Sequence, residues 1–490
     1  MSNDAYEVII GVEVHVQLAT RTKLFCGCST QFGAAPNTQT CPVCIGMPGT
    51  LPVMNRRAYD LSLRTAVALN CEIPSLTKWD RKQYYYPDLP KGYQISQYDL
   101  PMSQHGYLEI SDPQERFGRK KVRILRAHLE EDAGKSMHDE AAGVADSRID
   151  LNRTGTPLLE IVSEPDMRSP LEARSFLNEL KLLLTYIDVS DCNMQEGSLR
   201  VDANVNLHIQ NEGQPIATPI VEIKNMNSFR AVERAVAFEA QRQFEVWRET
   251  GRKLGEVAKQ TRGWDDQAGV TRPQRSKEES SDYRYFPDPD LVPVTTTAAQ
   301  IDHVKSGLPE LPSAIRDRLE ADYEITPYDA DVIVNQGRGV VDYFTDVAVR
   351  CGDGRQSSNW IQQDVLRTLN EQSISIDQFP ISSENLGGLI RAVQTEELPS
   401  SRARDVFLRM LDEGQDHQSA MQSLGIEKVD DSALKSLCRE LLAANPKIVA
   451  DLQGGKHQAV GALIGQAKKH NPNVNPNRFR ELCLQLINEM

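Results

Sequence analysis

The chain has 490 residues, 40% of them hydrophobic and 25% charged, with a formal net charge of −14. At roughly 150 residues per domain this predicts about three domains with ample core, and the acidity argues against broad coating by nucleic acid without excluding a local basic face. No apolar run of about 18 residues could span a membrane, MSNDAYEVII opens with no leader-like segment, and nine cysteines suit a reducing compartment, so the expectation is a cytoplasmic chain with no membrane contact.

To about residue 295, segments of period-2 polarity alternate with turns. The first, VIIGVEVHVQL, sends Val12, Val14 and Val16 one way and Glu13, His15 and Gln17 the other. A Glu and a His two apart on a strand can bind one metal; a solvated sheet face with a chance histidine would look the same. The pairs CGCS and CPVC follow, supplying Cys26, Cys28, Cys41 and Cys44. Two short-spaced pairs across a loop can set four thiolates around Zn²⁺, which with four sulfurs would be closed and structural. A redox Cys-x-x-Cys fits less well, because Ile45-Gly46-Met47-Pro48-Gly49 cannot begin the helix that lowers a thiol pKa. Four unrelated thiols are the other alternative. Cys71, Cys192, Cys351, Cys438 and Cys483 stand singly and read as packing residues.

The strand-like RKKVRILRAHL runs into HLEEDAGKSMH, which carries Gly134-Lys135-Ser136, the last letters of a phosphate-binding loop. The loop's first Gly would fall at position 129, which is Leu, and Glu130, Glu131 and Asp132 would repel a phosphate there. The segment instead offers hard oxygen ligands beside a lysine, suited to a divalent cation carrying phosphate. A helix over SPLEARSFLNELKLLLTYI, capped by Ser169 with Pro170 at its first position, comes next. SLRVDANVNLHI then places Arg200, Asp202, Asn204 and Asn206 on one face, IVEIKNMNS adds Glu222 and Lys224 with Asn225 at the strand's end, and NSFRAVERAVAFEAQRQFEVWRE reads as a second helix. Several strands thus present carboxylates, amides and cations from one face, equipment for phosphoryl transfer with Mg²⁺ and no P-loop. No G-x-S-x-G elbow, amidase-like serine and lysine arrangement or Cys–His nucleophile is evident, so a reaction that consumed ammonia would draw it from elsewhere. DYRYFPDPDLVPV reads as the exit from this domain, and the remainder is helical. The expected domains are 1–295, 296–410 and 411–490, the second break lying near MLDEGQDHQSA.

IGVEVHVQL, KWDRKQYYYPDLPKGYQISQYDLP, HLEEDAGKS, DLNRTGTPLLEIVSEPD, EGSLRVDANVNL, EIKNMNSFR and DYRYFPDPDLVP, in that order, resemble the GatB family, the kinase half of the aspartyl/glutamyl-tRNA(Asn/Gln) amidotransferases. NPKIVADLQGGKHQAVGALIGQAKKHNPNVNPNRFRELC resembles the family's tail more loosely. The resemblance implies an α+β fold: a mainly antiparallel-sheet cradle, related to glutamine synthetase-like catalytic domains, then a helical linker domain and a helical tail. It implies a ligase component that uses ATP and Mg²⁺ to phosphorylate the side-chain carboxylate of misacylated Glu-tRNA(Gln) or Asp-tRNA(Asn). Ammonia from a separate amidase subunit then displaces the phosphate, with a small third subunit completing a heterotrimer. Carried onto this chain, the implied magnesium and phosphate site is Glu13, His15, Glu130 and Glu131, with Asp202, Asn204, Glu222 and Asn225 as further cofactor-binding candidates. Lys135 and Arg153 are candidate phosphate contacts or plain salt-bridge partners. Lys82, Tyr86, Lys91 and Gln94 resemble residues lining the reaction chamber and ammonia route, with loop packing as the alternative. The zinc cysteines occur in only some members. Gln274-Arg275-Ser276-Lys277-Glu278 departs from the family in lacking a methionine.

The tail is the part implied to grip tRNA. Over Asp451–Met490, Lys456, Lys468, Lys469, Arg478 and Arg480 stand against three acids, a basic bias suited to phosphate that a solvated helix would share. Two rivals remain in view: a non-catalytic, zinc-stapled tRNA scaffold, and a self-contained glutamine synthetase-like ligase for a small substrate.

Overall fold

The computed structural model describes residues 6–138, 147–211, 214–274, 283–426, 430–454 and 456–489; positions 275–278 of the departing segment lie outside them. Contacts divide the chain into two compact units, the first ending at Ala314 and the second beginning at Ile315.

Alternation in β1 (Tyr6–Gln17) builds the centre of the first unit. Val8, Ile10, Val12, Val14 and Val16 are all buried, because a period of two sends every second side chain to the same face. The strands that follow are β2 (Leu76–Thr77), β3 (Asp80–Gln83), β4 (Tyr93–Ser96), β5 (Ser103–Ile110), β6 (Lys120–Glu131), β7 (Lys135–His138), β8 (Ser147–Asp150), β9 (Pro157–Ser163), β10 (Leu199–Asn211), β11 (Gln214–Ala217), β12 (Val221–Lys224), β13 (Gln260–Asp265), β14 (Val270–Pro273), β15 (Phe286–Pro287) and β16 (Val294–Thr295). Among the described residues nine strands form one sheet in the order β14-β13-β12-β10-β1-β9-β6-β5, with β11 on β10. Only β12 and β13 run parallel in it; the rest is antiparallel. Three small ladders, β15-β3-β4, β16-β2 and β7-β8, complete the strands.

Three helices supply the core on the apolar face: α1 (Arg56–Ala68), α2 (Pro170–Tyr186) and α3 (Phe229–Thr250). Ser169 caps α2 by accepting from Glu172 N–H, with Pro170 at the first position as expected. Ser228 caps α3 in the same way, and Gly251 ends it in the left-handed conformation at φ 63°. Leu61, Phe176, Leu180, Val232 and Val236 meet Val12, Val14, Val201 and Val205 in one core, each full burial contributing roughly 1.5–3 kcal/mol. Past the break expected at residue 295, α4 (Ala298–Ser306) still lays Ile301 and Val304 on that core.

The second unit is helical throughout its described residues: α5 (Pro312–Tyr323), α6 (Pro327–Val334), α7 (Arg338–Cys351), α8 (Gly354–Trp360), α9 (Leu366–Gln372), α10 (Ser383–Gln394), α11 (Ala403–Glu413), α12 (His417–Ser423), α13 (Asp431–Ala444), α14 (Pro446–Gln453), α15 (Val460–His470) and α16 (Pro476–Glu489). Gly414, at φ 63°, ends α11 within the MLDEGQDHQSA stretch. A core of its own, built on Leu434, Leu441, Val460, Leu463, Phe479 and Leu482, starts beyond α12. Of the single cysteines, Cys192, Cys351, Cys438 and Cys483 are buried and Cys71 half-buried.

Gly106 marks a close approach between β5 and the end of α1: a Cβ there would stand 2.4 Å from Cys71 Sγ and 2.5 Å from the Leu69 carbonyl oxygen. Gly106→Ala is expected to cost about 1–3 kcal/mol, read as a lower midpoint for thermal unfolding of the first unit. An unchanged midpoint would mean that β5 slides freely on α1.

Candidate active site and metal centre

The face of the sheet opposite the core carries the charges. Register sets Glu13 of β1 opposite Asp202 of β10, and His15 opposite both Arg200 of β10 and Glu160 of β9. β6 sets His128 opposite Glu160 and Glu130 opposite Leu158, and β12 sets Glu222 opposite Asn204. Residues directly opposed across an antiparallel pair share a face, so five strands deliver polar groups to one surface.

Two clusters with metal-ligand spacing result. His15 Nε2 lies 3.9 Å from Glu130 Oε1 and 3.8 Å from Glu160 Oε2, with one ligand atom from each residue within 4.8 Å of the others. Glu13, Asp202 and Glu222 meet the same limit. Lys224 pairs with Asp202 and lies 3.3 Å from Glu222 Oε1. Asn204 Nδ2 donates to Glu13 Oε1 at 2.9 Å, and Asn204 Oδ1 is buried without a partner among the described residues. Three carboxylates beside an orphaned amide oxygen fit a hard divalent cation such as Mg²⁺; the first cluster, with its imidazole, is a mixed donor set.

Burial works against charge on Glu130 and Glu160, and their mutual repulsion adds to it. The buried imidazole of His128, 3.2 Å from Glu160 and 3.8 Å from Glu130, together with Lys82, outweighs both effects. Glu130 is held below the usual carboxylate range and Glu160 well below it. In return, and against the same burial, the carboxylates hold the His128 imidazole and the Lys82 ammonium above their ordinary values. The site thus supplies its own cations where a metal would neutralise charge.

The three consecutive acids of HLEED go three ways. Glu130 lies buried on the charged face of the sheet. Glu131, one residue on, faces the other side, pairs with Lys91 and accepts from Ile95 N–H at 2.9 Å. It does not join His15 and Glu13, contrary to the set expected from sequence, because adjacent strand residues point to opposite faces. Asp132 accepts from Arg200 at 2.8 Å and Gln17 at 2.9 Å, with Arg153 3.6 Å away; burial pushes its carboxyl up, but Arg200 and Arg153 hold it low. Arg153 also donates to the Ala133 carbonyl at 2.9 Å, bracing the turn. Lys135 is exposed and opens a hairpin strand rather than a helix, so no phosphate loop forms.

Of the four residues expected along an ammonia route, Lys91 and Gln94 both bind Glu131 and Lys82 lies opposite Gln94. Lys91 lines a cavity of about 290 Å³ with Glu131, Arg81, Lys23, Cys26 and Cys44. Gln94 Nε2 donates to the Glu131 carbonyl at 2.8 Å and its Oε1 accepts from Tyr84 at 3.0 Å, while Lys82 pairs in register with Gln94 across the β3–β4 ladder. Tyr86 is exposed.

The four paired cysteines come together as their spacing predicts. Their sulfurs lie within 4.8 Å of one another, with Cys41 and Cys44 3.9 Å apart, against about 3.8 Å between vertices of a tetrahedron of ~2.3 Å Zn–S bonds. The residues fit Zn²⁺. A hydrogen bond from Cys26, the Cys41 N–H and the fully buried Lys23, 3.6 Å away, draw the Cys44 thiol down to about 4. Burial and Cys41 push Cys28 up to about 11.

Among the other cofactor candidates, Asp202, Asn204 and Glu222 sit at the second cluster, whereas Asn225, at φ 65°, donates to the Trp264 carbonyl at 3.1 Å and ties β12 to β13. In the tail, Arg478 pairs with Asp431 and Glu481, and Lys456 with Asp451. Lys469 and Arg480 are exposed and Lys468 half-buried. Glu160 and His128 are the residues that sequence reading passed over. PLLEIVS carries one acid among apolar neighbours at strand spacing, and His128 precedes Glu130 by two, which were the available signals.

A family model for the GatB/GatE catalytic domain matches residues 8–302, and one for the GatB domain matches 342–487. The chain is 62% identical over 482 residues to the GatB-type subunit of the aspartyl/glutamyl-tRNA(Asn/Gln) amidotransferase from Rhodopirellula baltica, covering 98% of this chain and 97% of the relative. The chain belongs to that family. Relatives of the same description from Moorella thermoacetica and a Thermoanaerobacter species are 47% and 43% identical, covering 98% and 99% of this chain and 100% and 99% of the relatives. The family membership places the sheet face and the cysteine cluster in an amidotransferase component. No helix among the described residues is long and apolar enough to cross a membrane.

Metal analysis is expected to find about one zinc per chain, lost in Cys44→Ser together with a lower thermal midpoint, since closed zinc sites contribute directly to folding. A chain that holds no zinc and keeps the native midpoint after chelation would sink the structural zinc.

Proposed function

We propose that this chain is the phosphorylating component of a cytoplasmic, tRNA-dependent amidotransferase, working with a separate amidase subunit and a small third subunit in a heterotrimer. Its substrate would be misacylated Glu-tRNA(Gln), Asp-tRNA(Asn) or both. The observation that carries the reading is the pair of clusters, His15–Glu130–Glu160 and Glu13–Asp202–Glu222, side by side on one sheet face. A carboxylate is a poor electrophile until it carries a good leaving group, and Mg²⁺-ATP supplies that activation when bound.

This chain's own residues would do the rest. Glu13, Asp202 and Glu222 would hold a cation, with Asn204 Oδ1 as a further oxygen donor. Glu130, Glu160 and His15 would hold a second. Lys224 and Lys82 keep positive charge beside the carboxylates and would accompany the phosphates. Arg200 and Arg153 are engaged by Asp132, which fixes the strand end carrying Glu130 and Glu131. Ammonia would enter through the cavity behind Glu131 and pass Lys91 and Gln94 towards Lys82, a sequence supported by their order from cavity to open face. The zinc cluster borders that cavity and would hold its wall. Lys468, Lys469 and Arg480 would meet tRNA phosphates. A scaffold that only held RNA would gain nothing from six clustered metal-ligating side chains, five of them carboxylates that repel phosphate without a cation.

In the assembled complex, Glu130→Gln and Glu160→Gln are each expected to lower ADP formation with misacylated Glu-tRNA and Mg²⁺ by about a hundredfold or more, while tRNA binding and glutamine hydrolysis persist. Native turnover in both variants would place the metal site elsewhere and return weight to a scaffold.

A further inference from the structure

Several tyrosine rings gather beside the carboxylate pair. Tyr98 and Tyr285 come from distant parts of the chain, yet their rings stack with centroids 4.3 Å apart and planes 13° apart. Tyr285 covers one side of Tyr98, and 51% of Tyr98 still lies open. Tyr283 meets Tyr285 edge-on, and Tyr84 meets Tyr283, so the run of rings continues round Lys82, whose Nζ is 4.9 Å from the Tyr283 centroid. Arg126 shares the face of His128 and Glu130. It donates to the Tyr98 carbonyl at 3.3 Å, and its Nε is buried without a partner among the described residues.

An open stacked ring beside a guanidinium suits an unpaired nucleobase, whose flat face covers the tyrosine while an attached phosphate lies against the positive charge. A buried donor such as this Nε calls for an explanation in a native structure. In misacylated tRNA the amino acid is esterified to the terminal ribose, so the terminal adenine lies only a few bonds from the carboxylate that reacts. Resting on the function proposed above, we infer that Tyr98 and Tyr285, with Arg126, form a stacking platform for the terminal adenine of the misacylated tRNA. The platform sets the aminoacyl side chain over Glu130 and Glu160. The adenine of ATP is the competing source of the same ring.

Steady-state ADP formation by the assembled complex separates these. Tyr98→Ala is expected to raise the KM for misacylated tRNA about tenfold and leave the KM for ATP unmoved, and Tyr98→Phe, which keeps the ring, recovers the native KM. A rise in the KM for ATP instead, or in neither, overturns the platform. A second arm uses native protein with a misacylated tRNA whose terminal ribose lacks its base. The same loss is expected, and Tyr98→Ala should add nothing on that substrate; additive losses overturn the platform. Absence of ADP formation by the native complex with intact misacylated tRNA overturns the kinase reading as well, whereas native turnover with unmoved KM values overturns only the platform.

Discussion

Glu130 and Glu160 stand side by side in a largely desolvated sheet face, and the surrounding groups answer the charge they place there. Glu130 is buried and Glu160 half-buried; carboxylates placed so repel, and each loses hydration that a salt bridge must replace. His128 lies between them, Lys82 reaches in from the β3–β4 ladder, and His15 approaches from β1. Both histidines pair with these same two acids, so the arrangement is balanced only as a set. A divalent cation would relieve the same repulsion, which is why a site built this way suits metal and phosphate rather than a neutral small molecule.

The end of β6 divides two chemical compartments. Strand alternation turns Glu130 to the charged face and Glu131 to the cavity bordered by Cys26 and Cys44. Asp132, where the ladder stops, is taken up by Arg200, Arg153 and Gln17. One short acidic run thus serves a carboxylate–imidazole cluster, a lysine-lined cavity and a structural anchor, with no helix or glycine loop involved. The burial of all three acids explains why none is left as a free surface charge.

Much of this was legible in the residues. The valines of β1 alternate with Glu13 and His15, β10 alternates in the same way, and Ser169-Pro170 announces a helix start; each signal is local, and each element formed where its pattern lay. The paired cysteines were legible because a tetrahedral metal needs little more than short spacings. Glu131 was misplaced for a reason the sequence itself contained, since adjacent strand residues cannot share a face. Glu160 was passed over because a lone acid in an apolar strand gains meaning only from its neighbours in register, and His128 for the same reason.

By itself the sequence determined the periodicities, the caps, the cysteine cluster and the family, all of which rest on interactions between residues close in the chain or on motifs long enough to be specific. Only the tertiary structure decided that His15, Glu130 and Glu160 meet, that Glu13 joins Asp202 and Glu222 instead, and that Tyr98 stacks on Tyr285. Those pairings depend on strand order and register across more than a hundred residues, and a shift of one residue in any strand would carry its ligands to the opposite face.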